Sequence, residues 1–126
     1  MSNSTRYGII GAGMMAQEHI RNIYLLDGAS VTAVCDPVQT SLSWSESTLR
    51  NIDGADLSQV QYFTDHRDML AAGVVDALII ASPNNTHIDV LRDTLQTDLP
   101  HLVEKPLCTT LEDALEIEER VKSFEP

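Results

Sequence analysis

The sequence predicts an α/β domain built on a doubly wound parallel sheet. Two observations carry this. Short apolar runs alternate with helix-period patterns from one end of the chain to the other, giving five strand–helix units in succession. The fourth run, Val75 to Ala81, is nearly continuously apolar, as a strand is when helices cover both faces of its sheet. Parallel neighbours joined through helices take right-handed crossovers, which fixes the general winding.

The elements follow in order. Tyr7-Gly8-Ile9-Ile10 reads as a strand ended by Gly11, and a helix follows from Met14 to Leu26, with Ile20, Ile23 and Leu26 at helical spacing. Asp27-Gly28 stops it. Val31-Thr32-Ala33-Val34-Cys35 is β-branched and apolar, a second strand closed by Asp36-Pro37. A helix over residues 38–51 and a loop containing Gly54 lead to a short strand, Gln61-Tyr62-Phe63. Asp65 to Ala72 is a short helix that Thr64 or Asp65 can cap. After the fourth strand come a helix from Thr86 to Gln96 and a fifth strand, His101-Leu102-Val103-Glu104. The last helix runs from Thr110 to Ser123, capped by Thr109 or Thr110. Its expected apolar stripe is Leu111, Leu115, Val121 and Phe124, with Ala114 and Ile117 beside it. A sixth strand, with which such a sheet usually continues, is absent.

Composition narrows the function classes. The 126 residues suit one domain, and 43% hydrophobic content is ordinary for a globular core. No apolar run is long enough for a membrane span, and Met1 to Arg6 lacks the layout of a signal peptide, so a cytoplasmic protein without a membrane partner is expected. The net charge of −11 disfavours a nucleic-acid partner. Cys35 and Cys108 read as reduced thiols. The four histidines have no metal-ligand spacing with them, so no metal is expected.

The first strand–helix junction carries chemistry. Gly11-Ala12-Gly13-Met14-Met15-Ala16 fits G-x-G-x-x-A after a strand and at a helix start, the setting of a dinucleotide-binding Rossmann turn. Gly11 permits the tight turn, Gly13 lets a pyrophosphate approach the backbone, and Ala16 lets the helix pack on the sheet. The N–H groups near Gly13, Met14 and Met15 face the phosphate, aided by the helix dipole. Asp36 stands twenty residues past Ala16, where its carboxylate can accept both hydroxyl hydrogens of the adenosine ribose. The alternative is two glycines that merely end a strand and an aspartate that caps a helix. Asp36 would repel a 2′-phosphate, and residues 37–41 offer no Arg or Lys to neutralise one. NAD is therefore preferred over NADP, unless a basic residue such as Arg50 arrives from elsewhere.

Two polar clusters follow the fourth and fifth strands, where ligands of such sheets bind. Ser82-Pro83-Asn84-Asn85-Thr86-His87 can also be a turn with a helix cap, and Glu104-Lys105-Pro106 can also be a solvated charge pair beside a proline. Together with the glycine turn and Cys35-Asp36-Pro37, these clusters stand in the order and spacing of the Gfo/Idh/MocA oxidoreductases, which the chain resembles over essentially all its length. The resemblance implies hydride transfer between nicotinamide and a sugar, polyol or related small molecule. It implies that Ser82, Pro83, Asn84 and His87 border the cofactor, that Glu104 touches its nicotinamide end, that Lys105 and Pro106 also belong to the cofactor site, and that Lys105 is the catalytic group at the substrate oxygen. It also implies a cis Lys105–Pro106 peptide. An alternative is a dinucleotide-binding or sensing module without catalysis.

The family's C-terminal domain carries the substrate pocket, further acid/base residues and the usual oligomer interface. None of it is in this chain, so residues 1–126 are expected to be the cofactor domain of a longer enzyme, or a natural truncation, with little turnover alone. The open edge of the fifth strand should favour self-association into a homo-oligomer.

Overall fold

A computed structural model describes residues 4–126; residues 1–3, part of the segment read for a leader, lie outside the described residues. Five strands form one parallel sheet: β1 (Thr5–Ile10), β2 (Ala29–Cys35), β3 (Gln61–Phe63), β4 (Ala77–Ile80) and β5 (His101–Val103). Five helices connect and flank them: α1 (Met14–Ile23), α2 (Gln39–Arg50), α3 (His66–Ala72), α4 (His87–Thr94) and α5 (Leu111–Val121). The spatial order is β3-β2-β1-β4-β5, so the chain winds outward one way from β1 and then the other. The switch point therefore lies between β1 and β4, where sheets of this kind open a crevice at their carboxyl ends.

Side-chain alternation along the strands builds two cores. Ile9, Val31, Val34 and Ile79 pack with Ala16, Ile20 and Ile23 of α1 and Leu42 and Leu49 of α2. Ile10, Ala33, Cys35, Leu78 and Ile80 pack with Met69 of α3, Ile88 and Leu91 of α4 and Ile117 of α5. The register between β1 and β2 shifts after Tyr7, which passes over Thr32. The Thr32 hydroxyl donates to the Val74 carbonyl at 2.6 Å instead. This bulge is what lets Val31 and Val34 share one face.

The capping residues behave as their chemistry demands. The Asp65 carboxylate accepts from the Arg67 N–H at the start of α3, and Gly73 ends that helix at φ 66°. The Thr110 hydroxyl accepts from the Asp113 N–H at the start of α5. Two expectations are corrected. Helix α1 ends at Ile23, because the Leu25 and Leu26 N–H groups turn back to Asn22 and Ile23. Leu26 is consequently exposed. On α5, Leu111, Leu115 and Val121 face solvent, while Ile117 is the buried residue, half-buried Ala114 lies one turn before it, and Phe124, just past the helix, packs edge-on against His101. The helix offers two apolar stripes. The sheet ends at β5, so only one of them has a surface to cover.

Candidate functional site

A cleft of about 730 Å³ opens at the carboxyl ends of β1, β2 and β4. Its floor is the turn between β1 and α1, Gly11 to Met15, and its walls include Asp36, Ser82, Pro83 and His66. Eight of the residues singled out in the sequence meet here: Gly11, Ala12, Gly13, Met14, Met15, Asp36, Ser82 and Pro83.

The turn is shaped by two glycines with different causes. Gly11 has φ +96°, and a Cβ there would stand 2.3 Å from the Ser82 backbone nitrogen. Fold closure alone requires glycine at that position. A Cβ on Gly13 would meet nothing within 4 Å. The space above Gly13 is cleft, so packing within the chain does not require glycine there. Helix α1 starts there without a side-chain cap and without an acidic residue in its first turn. Its leading N–H groups have no acceptor one turn back, and its dipole places partial positive charge at the same point.

Asp36 is almost wholly buried and faces this turn. One carboxylate oxygen accepts from the Ala12 N–H at 2.9 Å, and the other from the Val38 N–H at 2.8 Å. Each oxygen keeps a lone pair for a further donor. Asp36 thus ties the end of β2 to the turn as well as presenting its charge to the cleft. Neighbouring Cys35 is buried, and that burial, with Asp36, Asp65 and Asp68 adding to it, pushes its thiol up to about 12. It is an inert wall residue. Among the cations of the described residues, Arg67 reaches the cleft wall, paired with Asp93 at 3.2 Å and Asp65 at 3.5 Å. Arg50 pairs with Glu46 at 2.8 Å and is not among the residues lining the cleft.

A support for the turn was missed in the sequence. Gln17 is 1% exposed, and its amide N–H₂ reaches the Ala12 carbonyl at 2.9 Å, the Gly13 carbonyl at 3.0 Å and the buried Ser45 hydroxyl of α2 at 3.2 Å. It holds the turn's carbonyls inward. A signal existed: Gln17 shares the helical stripe of Ile20 and Ile23, and a polar side chain on a buried stripe needs partners.

The remaining predicted residues lie beside the cleft and not on its lining. Asn84 opens an exposed 3-10 turn over Asn84–Thr86. His87 is fully buried, with Nδ1 3.0 Å from the Pro106 carbonyl and Nε2 3.0 Å from the Ser82 carbonyl. Its ring joins two loops and does not face the opening. Glu104 lies past the end of β5, and its carboxylate meets His19 Nε2 of α1 at 2.5 Å. Lys105 and Pro106 are exposed, and the peptide between them is cis. A second cavity of about 360 Å³ lies between α4, β5 and α5, lined by Leu91, Leu95, Val103, Ile117 and Phe124. Its one titratable side chain is His101, whose burial disfavours the charged ring, so it offers little chemistry. Among the described residues no three His, Cys, Asp or Glu side chains gather as a metal site, and no helix is long and apolar enough to cross a membrane.

The residues present fit a dinucleotide. The uncapped helix start suits a pyrophosphate, the open space over Gly13 admits it, and the spare lone pairs of Asp36 suit a ribose diol.

Comparison with known proteins agrees with this geometry. Residues 5–125 match the model of the oxidoreductase family with an NAD-binding Rossmann fold that is named for Gfo, Idh and MocA. The chain is 38% identical over 120 residues to inositol 2-dehydrogenase of Corynebacterium glutamicum, covering 94% of this chain and 33% of that protein. It is 36% identical over 109 residues to the rhizopine catabolism protein MocA of Rhizobium meliloti, covering 86% of this chain and 31% of that protein. Its fold is similar to that of myo-inositol dehydrogenase from Lactobacillus casei, solved with NAD(H) and myo-inositol, with a TM-score of 0.78 at 31% identity, covering 93% of this chain and 33% of that one. The chain thus spans about a third of the length of these relatives. With a family model matched over nearly its whole length, the chain belongs to the Gfo/Idh/MocA oxidoreductase family as an NAD-binding Rossmann domain.

Proposed function

We propose that this chain is the cofactor-binding part of an NAD(H)-dependent oxidoreductase acting on a polyol, a sugar or a related small molecule. One observation carries the reading. The uncapped start of α1 and the Asp36 carboxylate face the same cleft at the sheet's switch point. The likeness to inositol dehydrogenases supports a polyhydroxylated substrate.

The nicotinamide, when bound, accepts or donates the hydride, and the protein contributes placement and charge. The N–H groups of Gly13, Met14 and Met15 hold the pyrophosphate, and Ala12 keeps the turn registered on Asp36. Asp36 accepts the adenosine ribose hydroxyls. Ser82 and Pro83 flank the middle of the cofactor, with Asn84 at the rim. Glu104, Lys105 and Pro106 stand at the reacting end, and the Lys105 ammonium stabilises the negative charge that develops on the substrate oxygen as its proton leaves. His87 supports this end from behind.

Preference for NAD over NADP follows from Asp36. A 2′-phosphate would meet a buried carboxylate, and the nearby Arg67 is already paired with Asp93 and Asp65. Calorimetric titration tests this. NADH should bind more tightly than NADPH. Asp36→Ala should weaken NADH about ten- to a hundred-fold, the loss of a charge-assisted hydrogen-bond pair worth about 1.5–3 kcal/mol. Equal NADH affinity in the variant removes Asp36 from the ribose, and tighter NADPH binding overturns the specificity.

A further inference from the structure

We propose that His19 and His87 are positioning residues that clamp the segment carrying Lys105, each reaching it from a different helix. The proposal rests on the reading above only for what Lys105 does; the clamp itself stands on contacts within this chain.

Cys108 packs on the core beyond it, but backbone hydrogen bonds do little to hold the Lys105 segment. Strand β5 ends at Val103 and α5 begins at Leu111. The Glu104 N–H still donates to the Ile80 carbonyl at 2.9 Å. Beyond it, residues 105–109 make no backbone–backbone hydrogen bond among the described residues. A loop in that condition is free to wander unless side chains fix it.

Two histidines do so on either side of Lys105 in sequence. His19 of α1 meets the Glu104 carboxylate, and both side chains are mostly buried, 17% and 23% exposed. His87, at the start of α4, is 0% exposed. Its Nδ1 lies 3.0 Å from the Pro106 carbonyl and 3.1 Å from that of Leu107, while Nε2 lies 3.0 Å from the Ser82 carbonyl. A buried histidine satisfied by one loop would be ordinary packing. Here the ring spends both nitrogens joining the loop after β4 to the loop after β5. His19 stands one and a half turns along the helix whose first turn floors the cleft. The turn that would hold a pyrophosphate and the loop that carries Lys105 thereby share one frame, α1. A reactive ammonium has to sit within about 0.5 Å of its working place, so such a frame has a use.

The chain contains two lysines, Lys105 and Lys122, so selective ¹⁵N-lysine labelling gives two backbone signals. The Lys105 amide should show the order parameter of rigid backbone, about 0.85, and should fall below about 0.6 in His19→Leu and in His87→Leu. Lys122, at the C-cap of α5, should not change in either. His19→Gln restores a donor near the Nε2 position, and His87→Asn restores one near Nδ1. Both should recover a rigid Lys105, which a general packing role would not predict. His19→Leu decides the matter if His87→Leu does not fold, because the His19 side chain is part-exposed. A Lys105 amide as rigid in His19→Leu as in the unmodified chain overturns the clamp. Addition of NADH to the unmodified chain should shift the Lys105 signal. If Lys105 is rigid but unmoved by NADH, its place at the cofactor fails and the clamp stands.

Discussion

Gly11 and Gly13 stand two residues apart and answer to different constraints. Gly11 carries a positive φ and would drive a Cβ into the Ser82 backbone, so Gly11→Ala costs about 1–3 kcal/mol in backbone strain before that clash is counted. Gly13 has open space above it. Gly13→Val should leave the melting temperature nearly unchanged and abolish NADH binding, whereas Gly11→Ala should lower the melting temperature outright. Thermal melts paired with NADH titrations separate the two; a Gly13→Val chain that melts early and still binds NADH would reverse the assignment. The turn that both glycines build between β1 and α1 is legible from motif and context, because the spacing follows a strand that ends at a helix start. The sequence places Asp36 at the end of the second strand, and the structure buries its carboxylate facing the turn. Its bond to the Ala12 N–H was not, since nothing in the sequence says that the end of one strand touches the turn after another. His19 was invisible for the same reason: its partner Glu104 lies 85 residues away. The resemblance puts His87 beside the cofactor, and the structure buries it with its ring turned to three carbonyls.

Elements were more legible than their faces. Alternating apolar runs located all five strands, and hydroxyl or carboxylate caps located the starts of α3 and α5. Helix α5 shows where the pattern ran out. Leu111 and Leu115 form one apolar stripe and Ala114, Ile117 and Phe124 another, and periodicity cannot choose between them. The choice is fixed by what α5 packs against, including an ion-pair bridge. Glu116 of α5 meets Arg92 of α4 at 2.7 Å and Arg120 at 2.9 Å. Hydrogen bonds from Arg92 and then Arg120 hold the Glu116 carboxyl down to about 2, below its ordinary 4.5. The folded value lies under the unfolded one, so the contribution is full above pH 4.5 and is lost as pH falls toward 2. Glu116→Gln should therefore melt slightly below the unmodified chain at pH 7, with the gap closing toward pH 2. The gap is small because these groups face solvent. A gap that stays constant across that range would show the bridge contributes no pH-linked stability.

At the scale of the whole molecule, the sheet separates two helix layers, α1 and α2 against α3, α4 and α5, and two openings among the described residues differ in character. One is the cleft at the switch point, lined by backbone N–H groups and carboxylates. The other is the apolar cavity between α4, β5 and α5. The fold class alone places the first; the second is not legible in the sequence, because it depends on Ile117 and Phe124 meeting α4 and β5, with Phe124 edge-on against His101. An acidic chain with net charge −11 that binds a dinucleotide must do so through local donors and not through its overall field. The most direct test follows the backbone amide signals of the ¹⁵N-labelled chain as NADH is added. The signals of Gly13, Met14 and Met15 should move first and furthest, with Asp36 close behind, while those of Leu95 and Phe124 stay in place. Shifts gathered at Leu95 and Phe124, or none at the turn, would contradict the placement of the cofactor in this cleft.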